Sequence, residues 1–179
     1  SQDLVDPSFD FVTEERSEFR TRQRDDLYPH EIFGKVPYDG ILVSRASVEG
    51  NDISGGRYTL AQKQRLFRDN IRGYFRLGTK KIETMGDCGA FSYITQDEPP
   101  VSVDEVINFY EFLKFDLGVS VDHVIPEFRT NEEPVLKKWR ERQEITLNKA
   151  KEFIQKSKSQ KSCFRPVGVA QGWSPNSYV

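Results

Sequence analysis

From Tyr38 onward, short apolar and β-branched runs end in polar residues, and each is followed by a segment whose apolar positions recur three and four apart. That is the alternation expected of βα units. Residues 40–46, Gly-Ile-Leu-Val-Ser-Arg-Ala, predict a first strand. Thr59 followed by Gln62 is a capping-box start for a helix with Leu60, Phe67, Ile71 and Tyr74 on its apolar face, ending at Gly78. Residues 81–85 predict a second strand that runs into Gly86-Asp87-Cys88-Gly89-Ala90-Phe91, and Ser102 with Glu105 opens the next helix, carrying Val106, Phe109, Tyr110 and Leu113. Residues 118–125 are apolar enough at adjacent and alternate positions to form a third strand buried on both faces. The longest helix is expected to begin near Thr130 and to carry Leu136, Trp139, Leu147, Ala150 and Ile154 inward. A Ser/Lys-rich loop is expected at residues 156–162, and a fourth strand at residues 165–170 finishes in Gln171-Gly172.

Four such units imply an α/β fold with a parallel sheet, either open and doubly wound or part of a barrel. No glycine-rich phosphate loop follows any of the strands, which favours a (β/α) TIM-barrel type. With 179 residues against the roughly 250 of a closed barrel, the chain is expected to cover about the first half. Residues 1–37 show no sustained helical or strand period and read as an N-terminal extended arm; residues 38–179 read as the N-terminal part of the barrel domain.

Apolar residues make up 36% and charged residues 30%, which excludes a disordered chain; 13 Phe and 7 Tyr must supply much of the core. A net charge of −2 excludes a general polyanion-binding surface while leaving room for a local basic stripe. The run Arg16, Arg20, Arg22, Arg24 could touch phosphates, although an exposed charged arm is the commoner reason for such a segment. Cys88 and Cys163 form no Cys-x-x-Cys pair and no long apolar run is present, so a cytoplasmic location with no membrane segment is expected.

In a barrel the active site lies at the C-terminal ends of the strands, which singles out Asp87, Asp122, His123 and Gln171. A carboxylate on a buried strand needs a partner or its pKa rises. Two carboxylates and an amide converging on one mouth would suit a base with a guanine-like edge, because carboxylates accept from N–H groups and an amide can donate to a ring carbonyl. Each residue also has a plainer reading. Asp87 between glycines could close a tight turn, Asp122 could be a buried hydrogen-bonded carboxylate, and Gln171 could be a loop residue. On a regular strand His123 points away from Asp122 and reads as a packed histidine; Phe91 on its own reads as core. His30-Glu31 lacks the second histidine of a metal motif, the two cysteines cannot make a zinc site, and Ser44 and Ser120 have no nucleophile-elbow pattern.

These strand ends resemble those of the tRNA-guanine transglycosylase superfamily. The segment from Gly86 to Phe91 resembles the Asp-Ser-Gly-Gly-Phe segment of the tRNA enzymes, residues 119–123 resemble their later strand ending in a base-reading Asp, and residues 167–172 resemble their Val-Gln-Gly strand. Asp-Leu-Val-Asp-Pro-Ser-Phe-Asp-Phe near the start, residues 30–33, residues 37–45 and the run through Tyr93 are most similar to the DpdA-type branch, which puts 7-deazaguanines into DNA. The resemblance spans nearly the whole chain. It departs at Cys88-Gly89-Ala90 and Ser92, where the tRNA enzymes have Ser-Gly-Gly-Phe-Gln.

The resemblance implies that Asp87 contacts the base and helps activate the reaction, that Phe91 stacks on the base, and that Asp122 and Gln171, with Gly172 beside them, bind its Watson–Crick edge. It implies a transferase that exchanges guanine for a base such as preQ0 through a covalent enzyme–nucleotide intermediate, on a base flipped from the duplex. The family's nucleophilic Asp and its zinc cluster lie on later strands, so no metal is expected in this chain and zinc is expected downstream of residue 179. The 179 residues are expected to be incomplete for catalysis: a fragment, a processed chain, or one half paired with another, as in a homo-oligomer. DNA and a 7-deazaguanine are the expected partners, with companion DNA-modification proteins. The alternatives are the same chemistry on tRNA and a non-catalytic base- or nucleic-acid-binding subunit.

Overall fold

The computed structural model describes residues 8–10, 12–15, 17–19, 26–36, 38–51, 55–129 and 137–178. The Arg16 to Arg24 run, Thr130 and Leu136 therefore lie outside the described residues.

Four parallel strands form one sheet in the order β1 (Gly40–Ser44), β2 (Glu83–Asp87), β3 (Leu117–Val119) and β4 (Arg165–Val167). Strand order follows chain order with no reversal, unlike a doubly wound sheet, in which the order reverses at a switch point. Helices α1 (Pro29–Ile32) and α2 (Arg45–Glu49) are short; α3 (Leu60–Tyr74), α4 (Val103–Leu113) and α5 (Lys137–Gln160) are the connecting helices, with α4 packed between α3 and α5.

Both predicted capping boxes are present. Thr59 and Gln62 exchange side-chain-to-backbone bonds at the start of α3, and Ser102 and Glu105 do the same at the start of α4. All four expected apolar residues of α4 are buried. In α3, Ile71 and Tyr74 are buried but Leu60 is exposed, and the helix is broken at Asn70 (φ 55°), whose side chain caps the amides of Arg72 and Gly73. It ends at Tyr74 rather than at Gly78.

Tyr110 on α4 locks this helix to the middle of the sheet. A Cβ on Gly86 of β2 would lie 2.4 Å from its ring, and one on Gly118 of β3 2.5 Å from it, so the two neighbouring glycines leave the space the ring fills. Its hydroxyl donates to the Val119 carbonyl at 2.9 Å. Phe115, Phe153 and Phe164 surround it at centroid distances of 5.5–6.2 Å, the aromatic core anticipated from composition.

Several expected boundaries are corrected: β1 ends at Ser44 rather than Ala46, because α2 begins at Arg45, and β2 runs over Glu83–Asp87 rather than residues 81–85. The third strand stops at Val119 instead of Ile125, because side chains take the backbone groups that a neighbouring strand would have paired. Tyr93 donates to the Asp122 carbonyl (2.9 Å), the His123 amide donates to Thr146 Oγ1 (2.9 Å), and the Ile125 amide donates to Gln171 Oε1 (3.4 Å). The fourth strand stops at Val167 for the same reason, since the Val169 amide donates to Ser120 Oγ at 3.1 Å. The expected loop at 156–162 is helical through Gln160, where buried Ser157 packs inward and Lys156 pairs with Asp104 (2.7 Å) and Glu152 (2.9 Å). On α5, Trp139 and Ala150 are buried as expected, whereas Leu147 is exposed.

Before the sheet, Tyr28 and His30 are buried against Phe75: His30 Nε2 bonds the Phe75 carbonyl at 2.9 Å, and its ring stacks on Tyr28. No helix among the described residues is long and apolar enough to cross a membrane.

Candidate active site

Parallel strands deliver their C-terminal ends to one side of the sheet, and there the strand ends and following loops enclose a cleft of about 780 Å³. Asp87, Phe91, Asp122 and Gln171 all line it, together with Ser44, Ser47, Arg57, Ser92 and the backbone around Gly89. The sheet brings together four side chains spread over 85 residues of sequence, from the ends of β2, β3 and β4.

Asp87 closes β2 in register with Ser44 of β1. Burial, and then the negative charge of Asp122, push its carboxyl above the ordinary value of 3.8; the Gly89 and Cys88 amides and the Ser44 hydroxyl act in the opposite direction. The turn after it requires glycine at 89. Its φ of 91° lies in the left-handed region, and a Cβ there would come within 2.4 Å of Ala46 Cβ and 2.6 Å of Ser44 Oγ. That tight turn leads into the 3₁₀ segment Ala90–Tyr93, which leaves Phe91 at the rim with 77% of its surface exposed while Ala90 and Tyr93 point inward.

Asp122 is buried at the base of the cleft with both carboxylate oxygens engaged. Gln171 Nε2 donates to Oδ2 at 2.8 Å, and the Cys88 thiol donates to Oδ1 at 3.3 Å. Burial dominates and raises its pKa; the two donors offset part of that rise. Gln171 is itself fixed, its main-chain carbonyl accepting from Gln143 Nε2 at 2.9 Å and its side-chain Oε1 from the Ile125 amide at 3.4 Å. Gly172 is buried beside it under Tyr178 and Ser177 but does not line the cleft.

His123 faces away from the cleft. It is fully buried, with Nε2 bonded to the Gln96 carbonyl (2.9 Å), its ring edge-on to Tyr93, and its pKa lowered first by burial and then by Arg142. Among the described residues no group of three His, Cys, Asp or Glu side chains converges in a way that could hold a metal ion.

Three contributors escaped the residue-by-residue reading. In the sequence Cys88 reads as one of two unpaired cysteines and as a departure from the tRNA enzymes' pattern, not as part of the site, yet its thiol lies between Tyr93 Oη (3.2 Å) and Asp122. Arg57 adds the one cationic side chain among the described residues lining the cleft. Arg142 on α5 is buried and donates to the carbonyls of Val124 (2.7 Å), Ile94 (2.5 Å) and Gln96 (3.4 Å), tying the loop after β2 to the loop after β3. A buried arginine on a helix otherwise rich in exposed basic residues carries no mark in the sequence that separates it from them.

A DNA-guanine transglycosylase of Salmonella montevideo is 53% identical to the chain over 182 aligned residues, covering 99% of the chain. Over nearly its whole length the chain is similar to that enzyme. It spans 43% of the length of that transglycosylase relative. No family model matches the sequence. This similarity agrees with the resemblance drawn from the strand ends, and the aligned region takes in all four cleft residues.

Proposed function

We propose that the chain is the base-recognition part of an enzyme that exchanges guanine in DNA for a 7-deazaguanine, built on a (β/α) barrel of which these four strands are consecutive members. The observation that carries this reading is the Asp122–Gln171 pair at the base of a cleft that also holds Asp87. A guanine edge presents N1–H and an exocyclic amine beside a ring carbonyl, and Asp122 supplies the acceptor and Gln171 the donor that such an edge requires. Phe91 at the rim offers a face on which the flipped base stacks. Gly172, packed under Tyr178 and Ser177 outside the cleft, serves this site by holding the chain that follows Gln171.

In this reading the guanine N9–C1′ bond breaks as a nucleophilic carboxylate, supplied by another part of the whole enzyme, bonds to C1′. The replacement base then displaces that carboxylate, regenerating it. Asp87, whose burial beside Asp122 favours its protonated form, gives a proton to the departing guanine and recovers one from the incoming base. The relative's name favours DNA over tRNA as the substrate. Companion DNA-modification proteins belong to the same proposal.

Mass spectrometry of nucleosides from digested DNA and tRNA tests it, comparing cells that express the intact gene with its neighbours and a preQ0 supply against cells lacking it. A 7-deazaguanine deoxynucleoside that disappears with Asp87→Ala is the expected result. Modification confined to tRNA would move the activity to that substrate. No change in either nucleic acid, with the protein expressed, would leave a base-binding subunit.

A further inference from the structure

We propose that Cys88 is a positioning residue for base recognition: its thiol, steadied by Tyr93, orients the Asp122 carboxylate so that the face toward the cleft is presented to the purine. The inference rests on the base-site reading above and adds a role for a side chain that reading leaves unused.

The geometry is a closed set of contacts among three side chains. Cys88 follows Asp87 directly, so when Asp87 turns toward the cleft its neighbour turns inward, where the thiol is 1% exposed. From there Sγ donates to Asp122 Oδ1 at 3.3 Å. Tyr93 holds both partners, with its hydroxyl 3.2 Å from Sγ and donating to the Asp122 main-chain carbonyl at 2.9 Å. Gln171 holds the other carboxylate oxygen at 2.8 Å. The carboxylate is thereby held from both ends, and its rotation about χ2 is opposed by two donors on different strand ends. With the Tyr93 hydroxyl proton given to the Asp122 carbonyl and the thiol proton given to Asp122 Oδ1, the 3.2 Å approach of Tyr93 Oη to Sγ is a packing contact that fixes the thiol's position, and Tyr93 does not compete with Cys88 as the donor to Oδ1.

A thiol suits this place. Burial, with Asp122 and Asp87 beside it, raises the Cys88 pKa and keeps it protonated, so it can act as a donor without setting another negative charge against Asp122. Disulfide formation is not involved, since the other cysteine, Cys163, lies at the opposite end of the sheet ahead of β4.

The test uses the full-length protein with guanine as the probe. Cys88→Ala is expected to weaken guanine binding about tenfold or more, as for loss of a hydrogen bond to a charged group, while Cys88→Ser restores it to within about threefold. Binding should decline in acid as Asp122 becomes protonated, and the midpoint of that decline should move to higher pH in Cys88→Ala because a donor that stabilises the carboxylate is gone. Infrared spectroscopy supplies a readout independent of purine: the Cys88 S–H stretch, isolated by subtracting the Cys88→Ser spectrum, should shift in Asp122→Ala. Guanine affinity and acid midpoint unchanged in Cys88→Ala would overturn the proposal, as would an S–H band indifferent to Asp122→Ala or a Cys88→Ser variant as weak as Cys88→Ala. A wild-type protein that binds no guanine, with an S–H band that does respond, would instead overturn the base-site reading and remove the role with it.

Discussion

Gln171 and Asp122, 49 residues apart in sequence, are joined by a 2.8 Å hydrogen bond from Nε2 to Oδ2. Removing the donor should expose the need for it. Gln171→Ala is expected to lower guanine affinity by about 10- to 100-fold, the scale of one or two hydrogen bonds in which one partner is charged. Gln171→Glu should be worse than Gln171→Ala, because it sets a second carboxylate against Asp122. Calorimetric titration with guanine orders the three proteins, and equal affinities would remove Gln171 from the site.

Asp87 should make stability depend on pH with a definite sign. Its folded pKa is raised above the ordinary 3.8, chiefly by burial and then by Asp122, so its contribution is fully present below 3.8 and is lost as pH rises through the folded value. Asp87→Asn should therefore melt at a higher temperature than the parent at pH 7, with the gap closing as pH falls toward 3.8. A gap that widens in acid would mean that Asp87 is better stabilised as a carboxylate than its burial implies.

Phe91 separates binding from folding. With 77% of its surface exposed it contributes little to the core, so Phe91→Ala should leave the melting temperature within about 1 °C of the parent. If its ring is the stacking face, the same variant loses about 1–3 kcal/mol of base affinity. Purine fluorescence titration beside thermal melting reads both quantities on one sample.

Gly86 lies within the core below the cleft. Gly86→Ala puts a Cβ 2.4 Å from the Tyr110 ring, between two elements that cannot separate without opening the sheet, and should cost about 1–3 kcal/mol. Denaturant unfolding with Tyr110→Leu as a second substitution checks the cause, since removing the ring should recover much of the loss. Independent, additive losses would place the strain elsewhere.

Much of this architecture was legible in the chain. The capping boxes at Thr59 and Ser102 specify helix starts through bonds made within four residues, so no distant segment is needed to read them. The apolar face of α4 was equally plain, because its period survives on one helix. Asp87, Asp122 and Gln171 stood out as polar residues at the ends of apolar runs, where burial demands a partner. Elements whose limits depend on what faces them were harder. Nothing within residues 118–125 marks Val119 as the last paired residue, since the groups that replace the ladder come from Tyr93, Thr146 and Gln171.

By itself the sequence determined the alternation of strands and helices, the local starts of α3 and α4, and the polar residues carried to the strand ends, because those follow from periodicity and near-neighbour bonding. Only the tertiary structure decided that β3 and β4 stop short, that Arg142 joins the loops after β2 and β3, and that Cys88, Asp122 and Gln171 meet. Each depends on hydrogen bonds between segments far apart in the chain, and a buried donor or acceptor takes whichever partner packing brings to it.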